Sequence, residues 1–171
     1  RRIAQETLDI YAPLANRLGM GRIKSELEDL AFRYVAPDDY FRVVSLIEEP
    51  RKKAAADLAR LEAELGRLMK ENGIPVEISS RVKRPYSIFI KMKKRDLPFD
   101  QVYDFLAMRL ITDSERNCYA ALGVIHRHWP HLPHRFRDFI AMPKPNLYQA
   151  LHTTIITEGR RTFEIQIRTQ E

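Results

Sequence analysis

The apolar periodicity of the chain changes at Asn72-Gly73, and that change confines the fold to helices followed by a sheet. Upstream, apolar residues recur three and four apart, as one buried face of a helix requires. Leu8, Tyr11, Leu14, Ala15 and Leu18 define a helix over 3–18, with Pro13 as its kink point and Gly19 and Gly21 as its stop. Ile23, Leu27, Leu30, Ala31 and Tyr34 mark a second helix. Pro37-Asp38-Asp39 opens a third, with acids suited to a helix start. Its stripe is expected to kink or restart at Pro50 before resuming through Leu58, Leu61, Leu65 and Leu68. Downstream of Gly73 the pattern is alternation, so Val76 to Lys83 reads as a strand. Residues 86–95 read as a short basic helix, Val102 to Thr112 as a buried strand, 115–128 as a helix and Phe136 to Met142 as a strand. Ile155 to Thr157 and Thr162 to Arg168 form a hairpin around Glu158-Gly159-Arg160-Arg161. The expected class is α+β, a mixed sheet with interleaved helices behind a helical bundle.

With 171 residues, 44% of them hydrophobic, the chain can bury one core, with room for part of a second domain. No apolar run approaches the roughly 20 residues of a membrane span, and no membrane partner is expected. Cys118 is the only cysteine, which excludes an internal disulfide, disfavours a thiolate zinc site and fits a cytoplasmic protein. The net charge of +6 is concentrated: residues 81–95 carry seven Lys or Arg and no acid. Such a block either attracts phosphate or is a solvated face. The chain begins within helical texture and stops just after an alternating strand, so it reads as a fragment of a longer protein.

Three constellations carry chemistry. Asp104 is the one acid among the apolar residues 102–108, and Glu164, Gln166 and Arg168 share a face of the last strand. Asp104 and Glu164 either share a Mg²⁺, which takes one or two protein carboxylates beside substrate phosphates, or serve as turn cap, arginine partner and surface acid. Arg81 and Lys83 point to one side of a strand, and Ser87 and Lys91 to one side of the next helix, a set able to hold a triphosphate. No Walker-type glycine loop is present. His134-Arg135-Phe136-Arg137-Asp138 leads into a stretch where Lys144, Asn146, Tyr148, Gln149 and His152 offer a cation, an amide, a stacking ring and further donors. That stretch is either a purine-nucleotide pocket or an ordinary polar loop. His126, His128, His131 and His134 follow no recurrent zinc spacing.

In this order the segments resemble the RelA/SpoT-type stringent-response proteins, specifically their (p)ppGpp synthetase domain. Tyr11-Ala12-Pro13-Leu14-Ala15-Asn16-Arg17-Leu18-Gly19 and Glu26-Leu27-Glu28-Asp29-Leu30-Ala31-Phe32 look like the helices joining hydrolase and synthetase domains. Arg81-x-Lys83, Tyr86-Ser87-Ile88 and Lys91-Met92 look like the ATP-side segment. Phe99-Asp100-x-x-Tyr103-Asp104-x-x-Ala107-x-Arg109 resembles the metal-binding strand. Pro143-Lys144-Pro145-Asn146 with Tyr148-Gln149 and His152-Thr153-Thr154 resembles the guanine-nucleotide loop, and Glu164-Ile165-Gln166-Ile167-Arg168-Thr169 the closing strand.

The resemblance implies a nucleotidyltransferase-like fold, with 1–36 a helical linker from an upstream hydrolase domain and 37–171 a synthetase core truncated at its C-terminal end. It implies transfer of pyrophosphate from ATP to the 3′-hydroxyl of GDP or GTP. Mg²⁺ would sit on Asp104 and Glu164, with Arg81, Lys83, Ser87 and Lys91 serving ATP. Tyr148 would stack on guanine, with Lys144, Asn146, His152 and Gln166 around the acceptor. Arg135-Phe136-Arg137-Asp138 is similar to the Arg-x-Lys-Asp signature of bifunctional members, with Arg137 where Lys is usual. No His-Asp pair occurs, so hydrolase activity is not expected in this segment, and any ribosome contact would come from regulatory modules outside it. Leu147 stands where the family often has Gly or Met, so a left-handed backbone is not expected there. Two rival readings remain, an RNA-binding module and a nucleotidyltransferase acting on RNA.

Overall fold

A proline inside a helix has no N–H for the carbonyl four residues back, and its ring crowds that carbonyl. At Pro13 the chain meets this by widening its turn. The helix α1 (Arg2–Glu6) passes into a π-helical turn (Thr7–Tyr11) directly ahead of α2 (Ala12–Arg17), where the sequence predicts a simple kink. The computed structural model describes residues 1–96, 98 and 106–170. They divide into two compact units, the first from Arg1–Lys52, Lys83–Phe105 and Pro145–Leu147 and the second from Lys53–Val82, Leu106–Lys144 and Tyr148–Glu171.

In the first unit, Gly19 turns the chain with φ +73°, and a Cβ there would stand 3.4 Å from the Asn146 carbonyl oxygen. Helix α3 (Gly21–Val35) follows. The long helix α4 (Pro37–Glu71) starts with Asp38 and Asp39 in its first turn and runs unbroken through Pro50, so no restart occurs there. The division between units falls inside α4, after Lys52. Helix α5 (Pro85–Arg95) begins with proline at a position whose N–H would have no helical partner anyway. Phe32 on α3 is 1% exposed. Its ring meets those of Phe89, Tyr86 and Tyr40 at 4.6, 5.5 and 5.7 Å.

The second unit holds a five-stranded sheet of β1 (Val76–Val82), β2 (Leu106–Thr112), β3 (Arg137–Asp138), β4 (Leu151–Ile156) and β5 (Thr162–Thr169) in the order β1-β2-β5-β4-β3. The β2–β5 pair is parallel and the other pairs antiparallel, so the sheet is mixed, as the α+β reading requires. A parallel pair needs a long crossover, and helix α6 (Glu115–His128) lies within it. Ser114 caps α6 by accepting the Asn117 N–H. Met108, Leu110, Leu151, Ile155, Ile165 and Ile167 form one face of the sheet, and with Cys118, Ala121 and Ile125 of α6 they are fully buried.

Two strand assignments need correction. The predicted strand Phe136–Met142 shrinks to Arg137–Asp138, because Asp138 Oδ1 accepts the backbone N–H groups of Ile140 (3.0 Å) and Ala141 (2.8 Å) and turns the chain. The predicted strand at Ile155 starts at Leu151, so residues read as loop belong to the ladder. The expected strand from Val102 is described from Leu106 onward; 102–105 lie outside the described residues.

Candidate functional site

Residues opposite one another in a sheet share a face, as do alternate residues along each strand. One row therefore runs across all five strands: Ser79, Arg109, Gln166, His152 and Arg137. The neighbouring row holds Arg81, Ala107, Glu164 and Thr154. Ala107 ends at its Cβ, which leaves room for Arg81 to cross it. Arg81 Nη1 donates to Gln166 Oε1 at 3.0 Å, and Gln166 Nε2 donates to Glu164 Oε1 at 2.8 Å. Glu164 Oε1 lies 3.6 Å from His152 Nδ1, an ion-pair separation rather than a hydrogen bond. His152 Nε2 and the Tyr148 hydroxyl are 2.9 Å apart. A proton on Nδ1, facing the carboxylate, leaves Nε2 to accept from the phenol.

Three guanidinium groups bear on this chain of bonds. Burial lowers the pKa of Arg109, the positive fields of Arg81 and Arg168 lower it further, and Tyr148 opposes them. Arg109 Nε is buried and has no hydrogen-bond partner among the described residues. Burial raises the phenol pKa of Tyr148, with Glu164 adding to the rise and Arg168, Arg81 and Arg109 opposing it. The Arg168 guanidinium carbon stands 5.6 Å from the centre of the Tyr148 ring. Lys144 Nζ lies 5.0 Å from that ring and 4.5 Å from the ring of Phe139. The Lys144 N–H donates to the Tyr148 carbonyl at 3.2 Å, which closes the loop between them. The Phe139 and His152 rings also meet at right angles, 5.3 Å apart. The surface is cationic and donor-rich around one partly buried carboxylate, a setting suited to phosphate groups.

Of the residues singled out in the sequence, Arg81, Lys144, Tyr148, His152, Glu164 and Gln166 come together on this unit. Arg135 and Arg137 lie at its β3 side, where Arg137 Nη1 bonds the carbonyls of His134 (3.0 Å) and Phe136 (2.6 Å). Lys83, Ser87, Lys91 and Asn146 belong to the first unit. There Asn146 Nδ2 donates to Asn16 Oδ1 at 3.4 Å. Asp104 lies outside the described residues. Leu147 overturns its expectation: its φ is +62°, left-handed, in a residue that is 84% exposed. Among the histidines, His126 stacks on His131 with ring centres 3.7 Å apart and pairs with Thr153 at 2.8 Å, while His128 reaches Glu64 at 3.2 Å.

Sequence reasoning left Arg109, Arg168 and Phe139 out of the site. Alternation along the last strand already placed Arg168 on the face of Glu164, so its signal was present. Arg109 stood inside the quoted strand motif. Phe139 had no local signal, because the turn that aims it depends on Asp138.

A protein named GTP pyrophosphokinase from Myxococcus xanthus is 48% identical over 176 residues, covering 99% of this chain and 22% of that protein. A second of that name from Escherichia coli K12 is 45% identical over 168 residues, covering 98% of this chain and 23% of that protein. The chain thus spans about a fifth of the length of these curated relatives. Among solved structures, small alarmone synthetase 2 from Bacillus subtilis matches with TM-score 0.59 at 26% identity, covering 72% of each chain. Small alarmone synthetase 1 from the same organism, bound to its product pppGpp, shares the fold with TM-score 0.59 at 19% identity, over 72% of this chain and 73% of that one. Residues 80–171 match the family model described as a region found in RelA / SpoT proteins, and the chain belongs to that family.

Proposed function

We propose that this chain carries the core of a (p)ppGpp synthetase, which moves pyrophosphate from ATP to the 3′-hydroxyl of GDP or GTP and releases AMP. The observation that carries this reading is the chain of side chains from Arg81 through Gln166, Glu164 and His152 to Tyr148, with the guanidinium groups of Arg109 and Arg168 beside it. Phosphoryl chemistry asks for positioned cations and carboxylates more than for covalent steps. The names of the relatives and of the product-bound neighbour point the same way.

Glu164 offers the hard oxygen that a divalent cation such as Mg²⁺ prefers, and only 13% of its side chain is exposed. Asp104 is the second ligand we propose. It stands three positions ahead of Ala107 in the sequence, and Ala107 pairs with Glu164. The assignment rests on the motif that Asp104 shares with the family, and three residues of chain, at most about 11 Å, keep it within reach of an ion on Glu164. Bound there, the cation would neutralise charge on the phosphates. On the sheet, Arg81, Arg109 and Arg168 offer cations for phosphates, and the motif resemblance assigns Lys83, Ser87 and Lys91 to ATP. Tyr148 stacks on the guanine, flanked by Lys144, His152 and Gln166, and the motif resemblance assigns Asn146 to the same nucleotide. The His152 pairing with Tyr148 and Glu164 fixes the direction in which the acceptor hydroxyl is met. Arg135 and Arg137 set acceptor preference from the β3 side. Much of the acceleration comes from holding two nucleotides in line, worth about 7–11 kcal/mol.

We further propose that residues 1–36 link this core to a hydrolase domain, that the protein works in the cytoplasm, and that any ribosome contact comes from segments outside this chain. No described helix is long and apolar enough to cross a membrane. The test is incubation of the full chain with γ-labelled ATP, GDP and Mg²⁺. Label should appear in a guanosine product with one AMP released per transfer. Label found only in inorganic phosphate, or pyrophosphate released in place of AMP, sinks the reading.

A further inference from the structure

Asp29 sits on α3, yet its carboxylate serves a different helix. Asp29 Oδ1 accepts the Tyr86 N–H at 3.1 Å, and Oδ2 accepts from Arg84 Nη1 at 3.4 Å. Tyr86 is the second residue of α5. Its N–H is one of the first four that every helix start leaves without an intrahelical partner. An N-cap side chain usually supplies the missing acceptor, but the residue at that position is Arg84, which makes no cap bond. The acceptor therefore comes from α3, and its negative charge also meets the positive end of the α5 dipole. Only 14% of the Asp29 side chain is exposed, so burial raises its carboxyl pKa against the Tyr86 N–H and Arg84, which lower it.

One helical turn further along α3, Phe32 packs on Tyr86 and Phe89 of the same helix at 5.5 and 4.6 Å. One face of α3 thus grips α5 twice, by a polar bond at its first turn and by edge-on and tilted ring contacts beside it. Ser87 follows the capped residue directly, and Lys91 lies one turn on.

We propose that Asp29 is a positioning residue for the ATP side of the reaction: by capping α5 from α3, it fixes where Ser87 and Lys91 stand and ties ATP affinity to the seating of α3. The proposal rests on the reading that α5 serves ATP. Loss of the cap frays the first turn of α5, so the effect falls on one substrate and not the other.

The test uses the full chain, with ATP and GDP varied separately for Asp29→Ala, Asp29→Asn and Lys91→Ala. Asp29→Ala should raise KM for ATP about fivefold, the population change expected for a lost cap, with KM for GDP and kcat within about twofold. Asp29→Asn keeps an oxygen for the Tyr86 N–H and should restore KM for ATP to within about twofold. If Asp29→Ala melts below the assay temperature, Asp29→Glu, which keeps the charge and displaces the oxygen by one methylene, takes its place. An unchanged KM for ATP, equal rises in both KM values, or an Asn variant no better than Ala overturns the proposal while Lys91→Ala still impairs ATP use. If Lys91→Ala leaves KM for ATP unchanged, the reading beneath has failed, and the role of Asp29 falls with it.

Discussion

On one face of the sheet Met108, Leu110, Ile165 and Ile167 are fully buried beneath α6; on the other, the residues that alternate with them are Arg109, Glu164, Gln166 and Arg168. Both sets come from the same two strands and the same alternation. The apolar side gains stability from area removed from water. The polar side holds a guanidinium whose Nε lacks a hydrogen-bond partner among the described residues, in the field of two further arginines. Such an arrangement costs folding free energy, and the proposed phosphate site would give a reason for keeping it.

Substitutions on the two faces should therefore fail in opposite ways. Glu164→Gln keeps the shape and an acceptor for Gln166 but removes the charge. Transfer should fall on the order of a thousandfold with little change in melting temperature. Substantial transfer by that variant breaks the division between the faces. Ile165→Ala, one residue away and fully buried, should cost about 3 kcal/mol in urea unfolding. Its kcat, measured where the variant is still folded, should stay within a few-fold. Arg109→Met sharpens the contrast. Removing a poorly satisfied cation should leave stability unchanged or raise it by about 1 kcal/mol, while transfer is lost. A clear drop in the unfolding midpoint would mean that the cation is well satisfied.

The smallest effect is expected at His126, on α6. Burial lowers its pKa, with His131 as the second cause. A depressed imidazole pKa means the neutral form is favoured on folding. Its contribution is present above the unfolded value near 6.5 and is lost as pH falls through the lower folded value. The unfolding midpoint should therefore fall slightly below about pH 6.5, and His126→Gln should flatten that slope. A slope identical in the variant assigns the acid sensitivity elsewhere.

Much of the fold was legible locally. Helices α3, α5 and α6 and strands β1 and β5 lie within a few residues of where periodicity put them, because apolar spacing is set by the geometry of a single element. Misses came where a side chain overrides the local pattern. Asp138 turns the chain two residues into a predicted strand, the turn before Pro13 widens, and Leu147 takes a left-handed backbone at an exposed position. The site residues were legible as types, a carboxylate here and cations there, but their neighbours were not.

By itself the sequence determined most of the order of elements and which residues of the last strand share a face, since a period of two says which side each residue takes. Beyond the hairpin of the last two strands, it could not say which strand lies beside which. The parallel pairing of β2 with β5 sets Arg109 beside Gln166, and Arg81 reaches across Ala107 to a residue 85 positions away. Only the tertiary structure decided that, because register comes from packing between distant segments and leaves no mark in the spacing of any one of them.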